Sequence, residues 1–229
     1  MLQIHYSMIL IIIIFFISIL VIGSFTLRKS FVLLQEKLNF TLEYREQFVI
    51  FTNNFYKKYD SFERRGEIDH ERYVWLTKNA NKMQGMLGQT GLMEYIGPFR
   101  QYKISNYNIV LNTIPKFRDS TITDFDVNSV DDCLLRYIGI VEQLTKENFK
   151  QLKNPFIWLK QGFKEFFSLP IYIFNWFGII PDSTVGKIKS NLIFNTLTGI
   201  GGLVTFVSGL VTIIQGKEQT LGFFKKLFY

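Results

Sequence analysis

The chain has 229 residues, with 26 Lys and Arg against 19 Asp and Glu, one cysteine, and 24 phenylalanines within a 17% aromatic content. A single cysteine excludes an internal disulfide framework and suits a reducing compartment. The net charge of +7 does not make a nucleic-acid binder, because the basic residues form no concentrated stripe and carry no DNA- or RNA-binding motif.

Residues 8–27, MILIIIIFFISILVIGSFTL, contain no charge. As a helix they cover roughly 30 Å, the thickness of a hydrocarbon core. The segment lacks the basic n-region and A-x-A-like cleavage site of a secretory signal, so it reads as a signal anchor. Arg28, Lys29, Lys37 and Arg45 follow it and no Lys or Arg precedes it. The positive-inside rule then puts the N-terminus outside and the central region in the cytoplasm.

Residues 30–60 continue this helix out of the membrane, with Phe31, Leu34, Leu38, Phe48, Phe51, Phe55 and Tyr59 on one face. Arg64-Arg65-Gly66 ends it. Asp69 is the expected cap of a second helix reaching about Leu87, with Ile68 before it as a staple and Tyr73, Leu76, Ala80, Met83 and Leu87 inward. A third apolar stretch lies at residues 104–114, between Gly97-Pro98 and Pro115. The polar loop DSTITDFDVNS follows, and a last helix is expected over 130–152 with Leu134, Ile138, Val141, Leu144 and Phe149 inward. Strand alternation is not sustained anywhere, and there is no internal repeat.

Residues 154–181 begin with an amphipathic helix, capped by Asn154 and opened by Pro155. Phe156, Leu159, Phe163 and Phe166 share one face, and Lys160, Gln161, Lys164 and Glu165 the other. Pro170 breaks it. Trp158, Tyr172 and Trp176 are residue types that sit at headgroup depth, so the segment reads as an interfacial elbow. A second uncharged stretch, residues 192–214, is long enough to span. On it Thr198, Gly201, Thr205, Ser208 and Thr212 recur at spacings of 3 and 4, with Gly209 beside them. Small residues allow close helix approach, so this face is expected either to self-associate, to line a small pore, or to pack on the first span of the same chain. Lys217, Lys225 and Lys226 after it oppose an external C-terminus unless the preceding apolar segment forms a hairpin with it.

Chemistry-bearing motifs are scarce. His5 and His70 are far apart and Cys133 stands alone, so neither a zinc site nor a Cys-His couple is expected. No nucleophile elbow, phosphate loop or dinucleotide fingerprint occurs. Asp124 with Asp126 and Asp131 with Asp132 read as loop and cap residues rather than a cation site. One cluster combines aromatic faces, amides and cations beside a Gly-Pro turn: Tyr95, Arg100, Tyr102, Lys103, Asn106, Tyr107, Asn108 and Asn112. Of these, Arg100, Tyr102, Lys103 and Tyr107 are the candidate contacts for an anionic or planar ligand or a partner.

The order Asn154-Pro155, Trp158, Gly162, Leu169-Pro170, Trp176, Gly178 and a Gly/Ser/Thr-containing terminal span resembles the C-terminal membrane module of uncharacterised bacterial inner-membrane proteins. The resemblance covers residues 154–215 and implies an inner-membrane location without supplying a catalytic residue.

The expectation is an all-α membrane protein in four parts: an anchor at 1–29, a helical cytoplasmic domain at 30–153, an interfacial amphipathic segment at 154–190, and a transmembrane helix and tail at 191–229. Its partners are the lipid bilayer and a protein partner or further copies of itself, with no cofactor, no metal and no enzymatic activity. The expected function is docking or sensing at the cytoplasmic face of the membrane. The alternative is an oligomeric, membrane-perturbing or pore-forming effector of the bacterial defence or toxin type.

Overall fold

The computed structural model describes residues 2–57, 66–96 and 103–215, with side chains for 10–57, 66–96 and 103–212. About 85% of these residues are helical, so the fold class is all-α. The elements are α1 (Leu2–Lys57), α2 (His70–Leu87), β1 (Leu92–Ile96), β2 (Lys103–Asn108), α3 (Ile109–Arg118), α4 (Asp124–Leu152), α5 (Pro155–Phe167), α6 (Leu169–Trp176), α7 (Asp182–Ser190) and α8 (Leu192–Gln215). Helices α1 and α8 are long and apolar enough to cross a membrane, and only 17% of the apolar window of each is buried. The covered helix of a soluble core would be mostly buried. The chain divides into two compact units, residues 32–147 and residues 1–31 with 148–229.

The central unit is built on an aromatic ladder. Tyr44, Phe48, Phe51 and Phe55 recur on one face of α1 and are fully buried. Phe117 from α3 meets three of these rings edge-on, with centroids 6.3 Å from Phe48, 4.9 Å from Phe51 and 5.1 Å from Phe55. That geometry suits the ring quadrupoles. Leu76, Ala80, Met83 and Leu87 of α2 and Val130, Cys133, Leu134 and Val141 of α4 close the core. Asp69 caps α2 as expected, accepting a hydrogen bond from the Arg72 backbone N–H at 3.1 Å.

Three local expectations are corrected. First, β1 and β2 pair as antiparallel strands, with Met93 opposite Tyr107 and Ile96 opposite Lys103. Residue 106 is an asparagine in the left-handed region, which asparagine tolerates better than most residues. Helix α3 therefore starts only at Ile109, and Pro115 lies inside it. Second, α4 starts at Asp124 rather than 130. A reciprocal cap explains this: Thr123 Oγ1 accepts from the Asp126 N–H at 3.2 Å, and Asp126 Oδ2 accepts from the Thr123 N–H at 3.1 Å. Third, Leu144 and Phe149 face outward. The buried stripe continues from Val141 through the polar Thr145 and Asn148, whose side chains bond the Val141 carbonyl and the Ser30 hydroxyl.

The terminal unit packs the first part of α1 against α5, and α5 against α8. Gly23 and Gly162 make the α1–α5 crossing a backbone contact. A Cβ on Gly23 would fall 1.8 Å from the Trp158 carbonyl oxygen, and one on Gly162 would fall 2.0 Å from that of Ile19. Further along, Phe15 meets Phe166 at 5.4 Å, so residue numbers rise on α5 as they fall on α1: the two run antiparallel. Helix α8 is antiparallel to α5 in turn. Gly201 lies against Phe167 and Gly202 against Phe163, while Phe206 and Leu210 share a cleft with Phe156 and Leu159. Asn154 caps α5 and Pro155 occupies its first turn, as the sequence implies. Ser168, in helical conformation, joins α5 to α6.

Candidate functional site

Of the candidate ligand cluster, Tyr95 lies on β1, Lys103, Asn106, Tyr107 and Asn108 on β2, and Asn112 on α3. Arg100 and Tyr102 lie outside the described residues. Lys103 pairs with Glu94 across the strands at 2.8 Å. Tyr107 is buried and stacks on Tyr95 with centroids 4.9 Å apart. The Lys116 ammonium sits 4.8 Å from the Tyr95 ring centre and 5.7 Å from that of Tyr107. It also pairs at 2.6 Å with Asp126, whose side chain is almost wholly buried. Burial pulls the Lys116 pKa down, but the hydrogen bonds and charges of Asp126 and Tyr107 together outweigh it and hold the group above the ordinary lysine range. Burial pushes the Tyr107 phenol up. Lys116, Tyr95, Tyr107 and Asp126 thus form an aromatic–cation–carboxylate stack that fixes the strand pair onto α3 and α4. Sequence reasoning missed Lys116 here. It lies on α3, a different element from the two tyrosines, and has no local signal that joins it to them.

The other carboxylates singled out in the sequence also hold the fold. Asp131 receives a two-pronged bond from Arg45 at 2.7 and 3.0 Å, and Asp69 caps α2. Cys133 is buried, its Sγ 3.4 Å from the Thr90 carbonyl oxygen, and burial pushes its thiol up. His70 is the first residue of α2.

The terminal unit carries the apolar surface. Ile11, Ile14, Ile17, Val21 and Phe25 of α1 are exposed, as are Leu192, Ile193, Leu197, Ile200, Leu203 and Val207 of α8. Around α6, Ile173, Phe174, Trp176, Phe177 and Ile179 are exposed too, Trp176 at 82%. The three aromatic residues assigned to the interface therefore differ. Trp176 is free. Trp158 is half-buried and donates from Nε1 to the Leu152 carbonyl at 3.0 Å. Tyr172 donates to Glu165 at 2.8 Å and lies under the Lys189 ammonium.

On α8 the small-residue face is filled from within the chain. Gly201 and Gly202 receive Phe167 and Phe163 of α5, and Gly209 receives Phe16 of α1. Thr198 is buried and bonds the Asn195 carbonyl at 3.1 Å. Thr205 and Thr212 return their hydroxyls to the carbonyls of Gly201 and Ser208, at 2.8 and 2.9 Å. Ser208 is exposed.

One polar cluster in this unit was not read from the sequence. Lys189 of α7 donates to both oxygens of Glu165 at 2.9 and 2.8 Å and to the Tyr172 hydroxyl, while Gln161 donates to Glu165 at 3.1 Å. Glu165 and Tyr172 are seven residues apart, a helical spacing that links α5 and α6 across Pro170. Lys189 has no comparable signal.

Compared with protein-family models, curated proteins and solved structures, the chain matches none.

Proposed function

We propose that the chain is a non-enzymatic helical protein tethered to a bacterial inner membrane, whose central unit docks a partner or senses a signal on the cytoplasmic side. The observation that carries this reading is the contrast between the units. Residues 32–147 have their own aromatic core, whereas the unit built from both ends of the chain exposes long apolar faces on α1 and α8. The NPxxW, LP and WxG residues of 154–178 agree with an inner-membrane location.

Helix directions support a cytoplasmic C-terminus. With Arg28 and Lys29 marking the inner end of α1, α5 heads outward and α8 returns inward. Lys217, Lys225 and Lys226 then obey the positive-inside rule. Placed end to end, α5 and α6 would cover about 33 Å, the length of an outward crossing. Glu165 satisfied by Lys189, Tyr172 and Gln161 fits that setting, because intramembrane charges are paired.

The filling of Gly201, Gly202 and Gly209 by this chain's own phenylalanines favours the tether over an assembling pore. The test is membrane potential in cells inducing the full chain or a version lacking residues 192–229, with photo-crosslinkers at the exposed Val74 and Leu135. The tether predicts unchanged potential and a discrete crosslinked partner. Depolarisation by the full chain alone, with no adduct, would overturn it.

A further inference from the structure

A groove runs along the terminal unit and ends in a cation. Two adjoining clefts, each of about 340 Å³, share Leu20 and Pro155. On the α1 side the first is lined by Ile13, Phe16, Ile17 and Leu20, and the second by Leu20, Val21, Ser24, Phe25 and Arg28, a broad helical face that runs the length of both clefts. Trp158 and the start of α5 form the opposite wall. Ile17 to Arg28 covers about 16 Å of helix, close to the roughly 15 Å of hydrocarbon in one leaflet.

Every lining residue is apolar except Ser24 and Arg28, and both lie toward the end where the uncharged stretch of α1 stops. Arg28 is exposed and has no hydrogen-bond or ion-pair partner among the described residues. The α5 N-terminus, whose dipole favours negative charge, borders the same cleft. Basic pockets between membrane helices on the cytoplasmic side recognise anionic headgroups.

We propose that this groove binds one anionic phospholipid, its phosphate at Arg28 and Ser24 and an acyl chain laid along α1 toward Ile17. The assignment rests on the membrane reading of α1. It commits to a lipid phosphate, since the apolar wall would have no use for a free anion.

The experiment is native mass spectrometry of the detergent-solubilised full chain titrated with phosphatidylglycerol or phosphatidylcholine. Wild type should retain a single phosphatidylglycerol at about fivefold lower concentration than phosphatidylcholine, the preference one interfacial arginine supplies. Arg28→Gln should erase that preference and Arg28→Lys should keep most of it. Ser24→Phe, which fills the groove without touching the charge, should lower retention of both lipids. Equal retention of the two lipids by wild type, an unchanged preference in Arg28→Gln, or displacement by glycerol phosphate would overturn the proposal. A carbonate wash of the source membranes separates the two failures. Release of the chain would remove the membrane reading and the site with it, whereas a retained chain without preference would remove the site alone.

Discussion

Gln84 shows how one side chain can complete a backbone. Its amide donates to the Gly91 carbonyl and accepts from the Val110 N–H, both at 2.9 Å, and all three groups are buried. Val110 lies in the first turn of α3, where the backbone supplies no partner for the N–H. Gln84→Leu keeps the volume but leaves two backbone groups unpaired, so a loss on the order of 2–4 kcal/mol is expected in chemical unfolding. Asp69 gives a pH-dependent counterpart. Hydrogen bonds from the Arg72 backbone and guanidinium hold its carboxyl below the usual range. A depressed folded pKa stabilises above the ordinary carboxylate pKa and is lost as pH falls through the folded value. Asp69→Ala should cost about 0.5–2 kcal/mol near neutral pH, and its difference from wild type should shrink as pH drops below about 4. A constant difference down to acid denaturation would show that the charge is irrelevant to the cap.

Element boundaries separate what periodicity can reveal from what it cannot. The α2 cap, the α5 cap and the Pro170 break were legible because each depends on residues within three or four positions. The strand pair was not. Its strands alternate poorly, since Lys103, Ile104, Ser105 and Asn106 are all exposed and only Tyr107 is buried. What holds it is Lys116, which belongs to another element. Leu144 misled for a related reason, because hydrophobicity outweighed a stripe that continues through Thr145 and Asn148. Glycine supplies the sharpest element-scale test. Gly162→Ala forces α1 and α5 apart, because the new methyl meets the Ile19 backbone. It should cost about 1–3 kcal/mol, read as a lower melting temperature in detergent. Gly199, on α8, has open space around its Cβ position, and Gly199→Ala should leave the melting temperature unchanged or raise it.

For the whole molecule the apolar ends and the helical middle were more legible than the path between them. Residues 154–181 carry Lys160, Lys164 and Glu165, so hydropathy hides any crossing there. The helix directions, fixed by Gly23, Gly162, Gly201 and Gly202, are long-range facts with no local signature. They make a labelling prediction. The native Cys133 is buried, so it leaves a quiet background for engineered thiols. Ser183→Cys, on the exposed surface of α7, should react with an impermeant maleimide in intact cells. Glu142→Cys, exposed on α4, should react only after permeabilisation. Labelling of both positions from the same side would reject the three-crossing path.

The notch at Gly23 also has a consequence in time. Its filling group, the Trp158 carbonyl, is encoded about 135 residues later, a delay of roughly 7–27 s at ordinary synthesis rates of about 5–20 residues per second. All of residues 32–147 emerge within that interval. The nascent first helix must therefore wait with an unfilled backbone groove while the whole central unit is made. The notch is closed only when α5 arrives. Assembly of the terminal unit is thus ordered by translation itself, with folding of the central unit free to finish before the last helices exist.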